Sequence, residues 1–454
     1  MKKYYILTFG CQMNIYDSNL MASFLEEDGY IEAQSIEEAD VIIVNTCAVR
    51  EHAVNRVLSR IDSLKGLKKK YPHIRIGVTG CVPQHLKGTL LEKKPFIDFV
   101  LGPDNLKRIT SSVKDKAGVF VEFTDTALYS EVSPARGKFP EAFVSVMRGC
   151  NNFCSYCVVP YTRGKEKSRS IENIVHEVSK LSKRGYKRVI LLGQNVNNYN
   201  DRGNGLPYLL SIIAKIKSIE RIGFLTSHPA YFPLVVIDVM KDEPKIEKSL
   251  HLPLQSGSSR ILKLMKRNYT KDEYIKIVDK IRDTIEDVTL STDIVVGFPD
   301  EKEKDFTDTI NMVKRIGFDS AYMFKYSPRK STLANTFVDT VKEETKKKRL
   351  NELIRVQSEI TRNKSESYKG KVLDVLITGE NEKNLLESNG ITLYNKRVVV
   401  KEKLRKGTIV KVRVEEVKGW TPIGVPLKEA IGSKQSGESS ASSCLRGCKI
   451  EDAG

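Results

Sequence analysis

No uninterrupted apolar stretch in the 454-residue sequence reaches the roughly 20 residues that cross a bilayer, and no charged, apolar, small-residue succession of an export signal opens it. The expectation is a cytoplasmic protein without membrane contact. Cysteine is scarce: eight residues in a chain of this size are too thinly spread for a secreted disulfide scaffold, and a reducing compartment keeps them as thiolates able to bind iron. Acidic residues fall short as well, 57 Asp and Glu against 75 Lys and Arg, for a formal net charge of +18. That excess favours a polyanionic partner, nucleic acid first, although solvated lysine faces contribute to it. The length exceeds what one hydrophobic core organises, so two or three domains are expected.

The few cysteines are unevenly placed. Cys150, Cys154 and Cys157 stand at C-x3-C-x2-C spacing within residues 147–169, MRGCNNFCSYCVVPYTRGKEKSR. A four-iron cluster has four iron sites and is ordinarily held by four cysteines, so a compact group of three leaves one iron open to a substrate or cofactor. Structural zinc is the competing reading. It takes four protein ligands, usually with C-x2-C pairs, and no histidine lies in this stretch to complete such a site. The basic residues Arg163, Lys165, Lys167 and Arg169 read as a solvated loop, with phosphate contact as the alternative.

Upstream, three apolar strands each run into a cysteine: YYILTFGC into Cys11, ADVIIVNTC into Cys47 and RIGVTGC into Cys81. Helices are expected from Tyr16 to Glu27 and from about Arg50 to Lys69. This is a parallel α/β domain over residues 2–118. Binding residues collect at the carboxyl ends of strands in such sheets, so the three cysteines can meet on one edge. Taken singly, each reads as a buried small hydrophobe. Residues 118–138, polar and carrying Pro134 and Gly137, read as a linker.

Residues 136–366 hold six β-like runs separated by helical patterns: AFVSVMRGC, RVILLGQN, IGFLTSHP, SLHLPLQSG, TLSTDIVVGFP and AYMFKYSP. Six βα units imply a parallel sheet curved into a partial (β/α)6 barrel. Chemistry in such barrels sits at the carboxyl ends of the strands, where Cys150, Gln194, His228, Gln255, Gly297 and Tyr326 fall. Gly, Pro and Ser there also serve as ordinary turn formers. His228 and His251 are expected to be structural or supporting rather than metal ligands. Leu350, Leu353, Ile354, Gln357 and Ile360, at helical spacing within 338–366, mark an amphipathic helix packed on the barrel.

The texture then changes to short strands, KVLDVLITG, ITLYNKRVVV and TIVKVRVEEVKG, which read as a small all-β barrel over 369–431. Tyr394 and Trp420 are available there for stacking on RNA bases. Residues 432–454, with KQSGESSASS, are low in complexity and expected to be a disordered or appended tail. Cys444 and Cys448 within it are expected to do nothing specific.

The C-x3-C-x2-C group with Tyr156 before its last cysteine resembles the signature of radical S-adenosylmethionine (radical SAM) enzymes. The longer run RGCNNFCSYCVVPYTRG followed by GKEKSR is similar to the methylthiotransferase branch. So are GCQMNIYDS, NTCAVRE and TGC around Cys11, Cys47 and Cys81, and LLGQNVNNY, LPLQSGSSRILKLMKRNYT, STDIVVGFP and FKYSPRKST in the central domain. After Cys81 the residues VPQH depart from the usual pattern. The resemblance implies two [4Fe-4S] clusters. One sits on Cys150, Cys154 and Cys157 and binds S-adenosylmethionine at its open iron. An auxiliary one sits on Cys11, Cys47 and Cys81 and carries sulfur. Gln194, Asn195, Gln255 and Asp293 are the polar candidates for gripping S-adenosylmethionine, and the C-terminal module resembles the RNA-binding TRAM domain.

The implied activity is radical methylthiolation at C2 of N6-isopentenyladenosine (dimethylallyladenosine) at position 37 of tRNA. Such a carbon offers a base no acidic proton, and a 5'-deoxyadenosyl radical takes its hydrogen instead. The expected partners are the tRNA anticodon stem-loop, a one-electron reductant such as flavodoxin or ferredoxin, and a sulfur donor, with the chain acting as a monomer. Two enzyme alternatives act on threonylcarbamoyladenosine or on an aspartate of ribosomal protein S12. GQNVNNY and LPLQSGS lean away from both. The non-enzyme alternative is an iron-sulfur RNA-binding protein, which has no evident use for an open cluster site.

Overall fold

The computed structural model describes residues 1–47, 51–115, 118–124, 134 and 136–427, with the backbone alone for 51–56. The tail 432–454 with Cys444 and Cys448, and residues 125–133 of the expected linker, lie outside the described residues.

The N-terminal sheet has six parallel strands in the order Ile31–Glu32, Lys3–Thr8, Val41–Thr46, Arg75–Gly80, Phe99–Leu101 and Gly118–Phe120. Val41–Thr46 is buried along its whole length, as a central parallel strand covered on both faces must be. Tyr4, Ile43, Phe99 and Leu101 pack with Tyr16, Leu20 and Met21 of the helix Gln12–Glu27, while Ile42, Val44, Ile76 and Val78 pack with Val57 and Ile61 of the helix Glu51–Lys70. Gly118–Phe120, expected to open the linker, is instead the edge strand. Three residues are too few to show an apolar period, and the polar stretch after them masks the pairing.

The central strands are Glu141–Ser145, Arg188–Leu192, Arg221–Phe224, Ser249–His251, Thr289–Val296 and Ser320–Lys325. They pair in parallel as two groups of three, and an Ile222–Ile246 bridge links the halves. Among the described residues the first and last strands are not paired, so the barrel is partial. Val189 and Leu191 face the surrounding helices, and the alternate residues Ile190 and Leu192 join the core beneath the helix Gln12–Glu27. The N-terminal domain is thereby packed onto the barrel rather than tethered to it.

The helix Glu343–Glu366 buries Leu353, Val356 and Gln357 and rests Leu350 and Ile360 against the barrel core. Ile354, expected on that face, is 40% exposed, because the buried stripe passes one residue to its side through Leu353. Beyond it lies a closed five-stranded barrel in the order Val372–Asn381, Asn384–Thr392, Arg397–Val400, Thr421–Pro426 and Ile409–Lys418. The run ITLYNKRVVV, read as one strand, spans the end of one strand, a turn with Asn395 at φ 55°, and the whole of the next. Asn and Gly tolerate that left-handed conformation best. The turn docks on the barrel: Asn395 Oδ1 accepts from Arg188 Nη2 at 2.8 Å, and Leu393 O accepts from Lys248 N at 3.0 Å. Both barrel residues stand where strands begin, so the small barrel covers the rim opposite the mouth.

Candidate active site

The loop bearing Cys150, Cys154 and Cys157 follows the first barrel strand and is pinned by backbone bonds. Cys150 N donates to Gly164 O (3.1 Å), Ser155 N to Met265 O (3.0 Å), and Ala334 N to Ser155 O (2.7 Å). Gly149 makes the entry possible: its φ is +76°, and a Cβ there would stand 2.0 Å from Lys165 O. Gln194 Oε1 accepts from Gly149 N at 2.6 Å. Burial pushes the Cys150 thiol up to about 11 and the Cys157 thiol up to about 12, so thiolates at these two positions persist only with positive charge nearby. Arg267, itself buried, supplies some, donating to Cys154 Sγ at 3.4 Å from a position fixed by Tyr269 OH (3.0 Å) and Pro253 O (3.2 Å).

Cys11, Cys47 and Cys81 follow three adjacent strands whose ends are in register, Thr8 opposite Asn45 and Thr46 opposite Gly80. The sheet therefore brings them to one edge. Cys11 Sγ donates to Asn14 Oδ1 at 3.3 Å, and the neighbouring Cys47 thiol lowers the Cys11 thiol to about 6 against the opposing effect of burial, with the charge of Arg163 adding to the lowering. Burial raises the Cys81 thiol, while Arg163 pulls it the other way through charge and a hydrogen bond. Beneath the thiols Asn14 Nδ2 donates to Asn45 Oδ1 (3.1 Å) and Thr46 O (3.0 Å), and Asn45 Nδ2 donates to Asn14 O (2.8 Å). These amides lock the three strand ends together. Among the described residues no three His, Cys, Asp or Glu side chains converge on a single ion, a convergence that a four-iron cluster with one thiolate per iron does not need.

The short helix Val159–Arg163, which follows Cys157, lies against the helix Cys81–Leu86, so the two cysteine groups face each other across the domain boundary. Arginines of the motif stretch hold that boundary. Arg148 pairs with Asp104 (2.7 Å), Arg163 with Asp17 (2.8 Å), and Arg169 with Tyr16 OH (3.0 Å) and Glu177 (2.7 Å), all of them buried. This corrects the reading of Arg163 and Arg169 as solvated or phosphate-facing. Their fixed, planar donors suit buried carboxylates, whereas Lys165 is exposed and Lys167 half-buried. The acidic partners Asp17 and Asp104 lie more than 40 positions away, and motif spacing gave no hint of Asp104.

At the barrel mouth several buried polar atoms have no protein partner: Asn195 Oδ1, Ser227 Oγ, His228 Nε2 and Tyr326 OH. Orphaned polar atoms gathered at strand ends fit a polar ligand that completes them. His228 Nδ1 accepts from Ala230 N (3.2 Å), so Nε2 carries the proton, and burial with Arg267 nearby lowers the ring to about 3. Asn195 Nδ2 donates to Glu166 Oε1 at 3.0 Å, and that carboxylate also accepts from Asn151 N (3.3 Å), tying the cysteine loop to the next strand end. Gln255 is buried at φ 68°, its N–H donating to Asp293 O (2.8 Å). The Asp293 carboxylate, partly exposed, lies 3.4 Å from His251 Nε2, whose Nδ1 meets Ser291 Oγ at 3.0 Å. Of the four polar candidates, then, Asn195 and Gln255 sit at the mouth, Gln194 is partly committed to the loop, and Asp293 pairs with a histidine. Arg267, Ser227 and Glu166 were missed, although the first and last lie inside quoted motif blocks.

Family models match residues 3–102 (the uncharacterized protein family UPF0004), 144–313 (the radical SAM superfamily) and 366–427 (the TRAM domain). Three relatives carry the name tRNA-2-methylthio-N(6)-dimethylallyladenosine synthase. The protein from Thermodesulfovibrio yellowstonii is 43% identical, over 90% of this chain and 95% of its own. That from Caldicellulosiruptor saccharolyticus is 46% identical, over 88% and 87%. That from Fusobacterium nucleatum is 41% identical, over 93% and 99%. Among solved structures, the radical S-adenosylmethionine methyltransferase TsrM from Kitasatospora setae, with cobalamin and a [4Fe-4S] cluster bound, aligns with a TM-score of 0.54 at 13% identity, covering 74% of this chain and 77% of its own. The cobalamin-dependent radical enzyme OxsB aligns at 0.52 and 13%, covering 79% and 56%. At that identity the likeness concerns the fold.

Proposed function

From the premise that this chain belongs to the family of tRNA-2-methylthio-N(6)-dimethylallyladenosine synthases, we propose how its residues divide that work. It is a radical SAM transferase of sulfur-containing groups that acts on tRNA. Its family requires S-adenosylmethionine and a [4Fe-4S] cluster, and the residues present fit both: a three-thiol loop with Cys150 and Cys154 buried beside Arg267, and orphaned polar atoms at the strand ends. When bound, these groups supply the one-electron chemistry that opens an unactivated C–H bond, and the methyl group.

Cys150, Cys154 and Cys157 hold the S-adenosylmethionine-binding cluster. Asn195 and Gln255 grip the cofactor together with Ser227 and the His228 Nε2–H, while Gln194 fixes the loop. Asp293 orients His251 lower in the barrel. Cys11, Cys47 and Cys81 hold a second [4Fe-4S] cluster that carries sulfur, and the single observation behind this assignment is their meeting on the sheet edge that faces the first triad. The reaction needs a one-electron reductant such as flavodoxin or ferredoxin and a sulfur donor, and the chain works as a monomer in the cytoplasm. No helix among the described residues is long and apolar enough to cross a membrane. The C-terminal barrel, with Trp420 exposed, binds the tRNA anticodon stem-loop.

Mass spectrometry of tRNA nucleosides from a deletion strain and its complemented partner tests the substrate. The 2-methylthio derivative of N6-dimethylallyladenosine disappears on deletion and returns on complementation. Unchanged tRNA with an altered ribosomal protein S12, or a change confined to threonylcarbamoyladenosine, would overturn the assignment.

A further inference from the structure

One aromatic ring at the barrel mouth is held by three loops and left open on one side. Tyr231 ends the short turn Pro229–Tyr231 that follows the third barrel strand, and His228 caps this turn through Nδ1, which accepts from Ala230 N at 3.2 Å. Asn197, buried in the loop after the second strand, clasps both ends of the turn. Its Nδ2 donates to His228 O (3.2 Å) and Tyr231 O (2.9 Å), and its Oδ1 accepts from His228 N (2.6 Å). From the loop between the fourth strand and the helix Lys271–Thr284, Asn268 Nδ2 donates to Tyr231 OH at 2.8 Å. One face of the ring stacks on the His228 imidazole, with centroids 5.6 Å apart and planes 29° from parallel, and Tyr269 meets that imidazole edge-on at 5.9 Å. Backbone, hydroxyl and one face are thus all fixed, yet Tyr231 is 48% exposed. Cover for His228 alone needs neither the Asn268 bond nor an aromatic ring, since any apolar side chain shields an imidazole. A rigid amphipathic ring, fixed in place and open on one side, is instead what a nucleobase stacks on at little ordering cost.

We propose that Tyr231 is a substrate-binding residue: the target adenine of the tRNA stacks on the open face of its ring. The proposal rests on the reading that the barrel mouth takes S-adenosylmethionine and that adenine. Ser227 Oγ and His228 Nε2, two of the orphaned atoms assigned to the cofactor, stand immediately before the turn. The imidazole edge therefore serves the cofactor while the ring stacked on the imidazole serves the base, which sets the two reactants side by side. Adenine C2 carries only hydrogen and offers no hydrogen bond by which to place it. Stacking fixes the plane of the base without one, and it leaves every edge of the purine free, C2 for the reaction and N6 for its dimethylallyl arm. A base in a single-stranded loop can be turned out onto such a ring.

The test uses the full-length chain, reconstituted with iron and sulfide without oxygen, with S-adenosylmethionine present and no reductant, so that binding is read without turnover. Two probes are titrated by fluorescence anisotropy: an anticodon stem-loop RNA bearing N6-dimethylallyladenosine at position 37, and the same RNA with that one base removed. The parent chain binds the first more tightly than the second. A parent that does not distinguish them would refute the reading of the mouth itself, whatever Tyr231 does. Tyr231→Leu, which keeps an apolar cover over His228, weakens binding of the first RNA about 5- to 150-fold, the range for one base on one aromatic ring, and binds the base-less RNA as the parent does. Tyr231→Phe and Tyr231→Trp, which keep an aromatic face, recover most of the lost affinity. Equal weakening toward both RNAs in Tyr231→Leu would mean packing or a contact elsewhere on the RNA and would overturn the proposal. So would an unchanged affinity for the first RNA, or a Tyr231→Phe as weak as Tyr231→Leu.

Discussion

Replacing Arg148 by methionine removes one side of a deeply buried ion pair between the domains. Arg148 Nη1 stands 2.7 Å from Asp104 Oδ1, with side-chain exposures of 3% and 2%. Burial already pushes the Asp104 carboxyl up, and Arg148, Thr124 N–H and Lys167 only partly offset it. Methionine keeps much of the arginine stem's volume but strands the carboxylate, and breaking a buried pair from one side costs about 3–5 kcal/mol. With a urea slope of about 2–3 kcal/mol per molar, the transition of the N-terminal unit moves down by about 1–2 M, read by circular dichroism on the reconstituted protein. The pH dependence has a definite sign. A carboxyl whose folded value lies above its unfolded value binds more protons when folded, so destabilisation is greatest above the folded value and shrinks as pH falls toward about 4. Adding Asp104→Leu removes the stranded charge and recovers most of the loss. A single variant within about 0.5 kcal/mol of the parent, or a double variant no better than the single, would refute the idea that these arginines hold the domains together.

Other consequences are as specific. Gly149→Ala forces a Cβ to within 2.0 Å of Lys165 O at φ +76°, so iron after anaerobic reconstitution falls from about eight to about four per chain. Full iron content would show that the loop tolerates the change. His228 is held neutral with its value lowered to about 3, so its contribution to stability is full above the ordinary 6.5 and is lost as pH falls from there, by at most about 1.4 kcal/mol per pH unit. His228→Asn flattens the urea midpoint between pH 6.5 and 5, and an unchanged slope contradicts the assignment. Trp420, 53% exposed on the C-terminal barrel, contributes about 1–3 kcal/mol of stacking if it meets a base. Trp420→Ala then weakens tRNA binding about 5- to 150-fold in a filter assay, and equal affinity would place the RNA elsewhere.

Long, strongly periodic elements were legible in the sequence: the strands ending at Cys11, Cys47 and Cys81, the six barrel strands and the helix Glu343–Glu366. Gly118–Phe120 was not, since a three-residue edge strand is defined by its partner Phe99–Leu101 and not by its own pattern. The turn inside ITLYNKRVVV was hidden because Asn395 alone breaks a run that otherwise has strand composition. At the site, the cysteines announced themselves by spacing and by position after strands. Arg163 and Arg169 did not. A basic residue in a loop is ordinarily solvated, and only the packing of the helix Gln12–Glu27 against the barrel places Tyr16 and Asp17 where those arginines are buried. Asp293 reads as a cofactor ligand from its place on a mouth-directed strand, and the pairing with His251 that the neighbouring strand gives it is not announced by that pattern.

Incubation of the reconstituted chain with tRNA bearing N6-dimethylallyladenosine, S-adenosylmethionine and a low-potential reductant, followed by nucleoside mass spectrometry, tests the central claim most directly. The parent chain yields 2-methylthio-N6-dimethylallyladenosine. The variant with Cys11, Cys47 and Cys81 changed to Ala still cleaves S-adenosylmethionine to 5'-deoxyadenosine but yields no methylthio product. Product from that variant, or none from a parent chain that carries both clusters, would contradict the division of labour between the two cysteine triads.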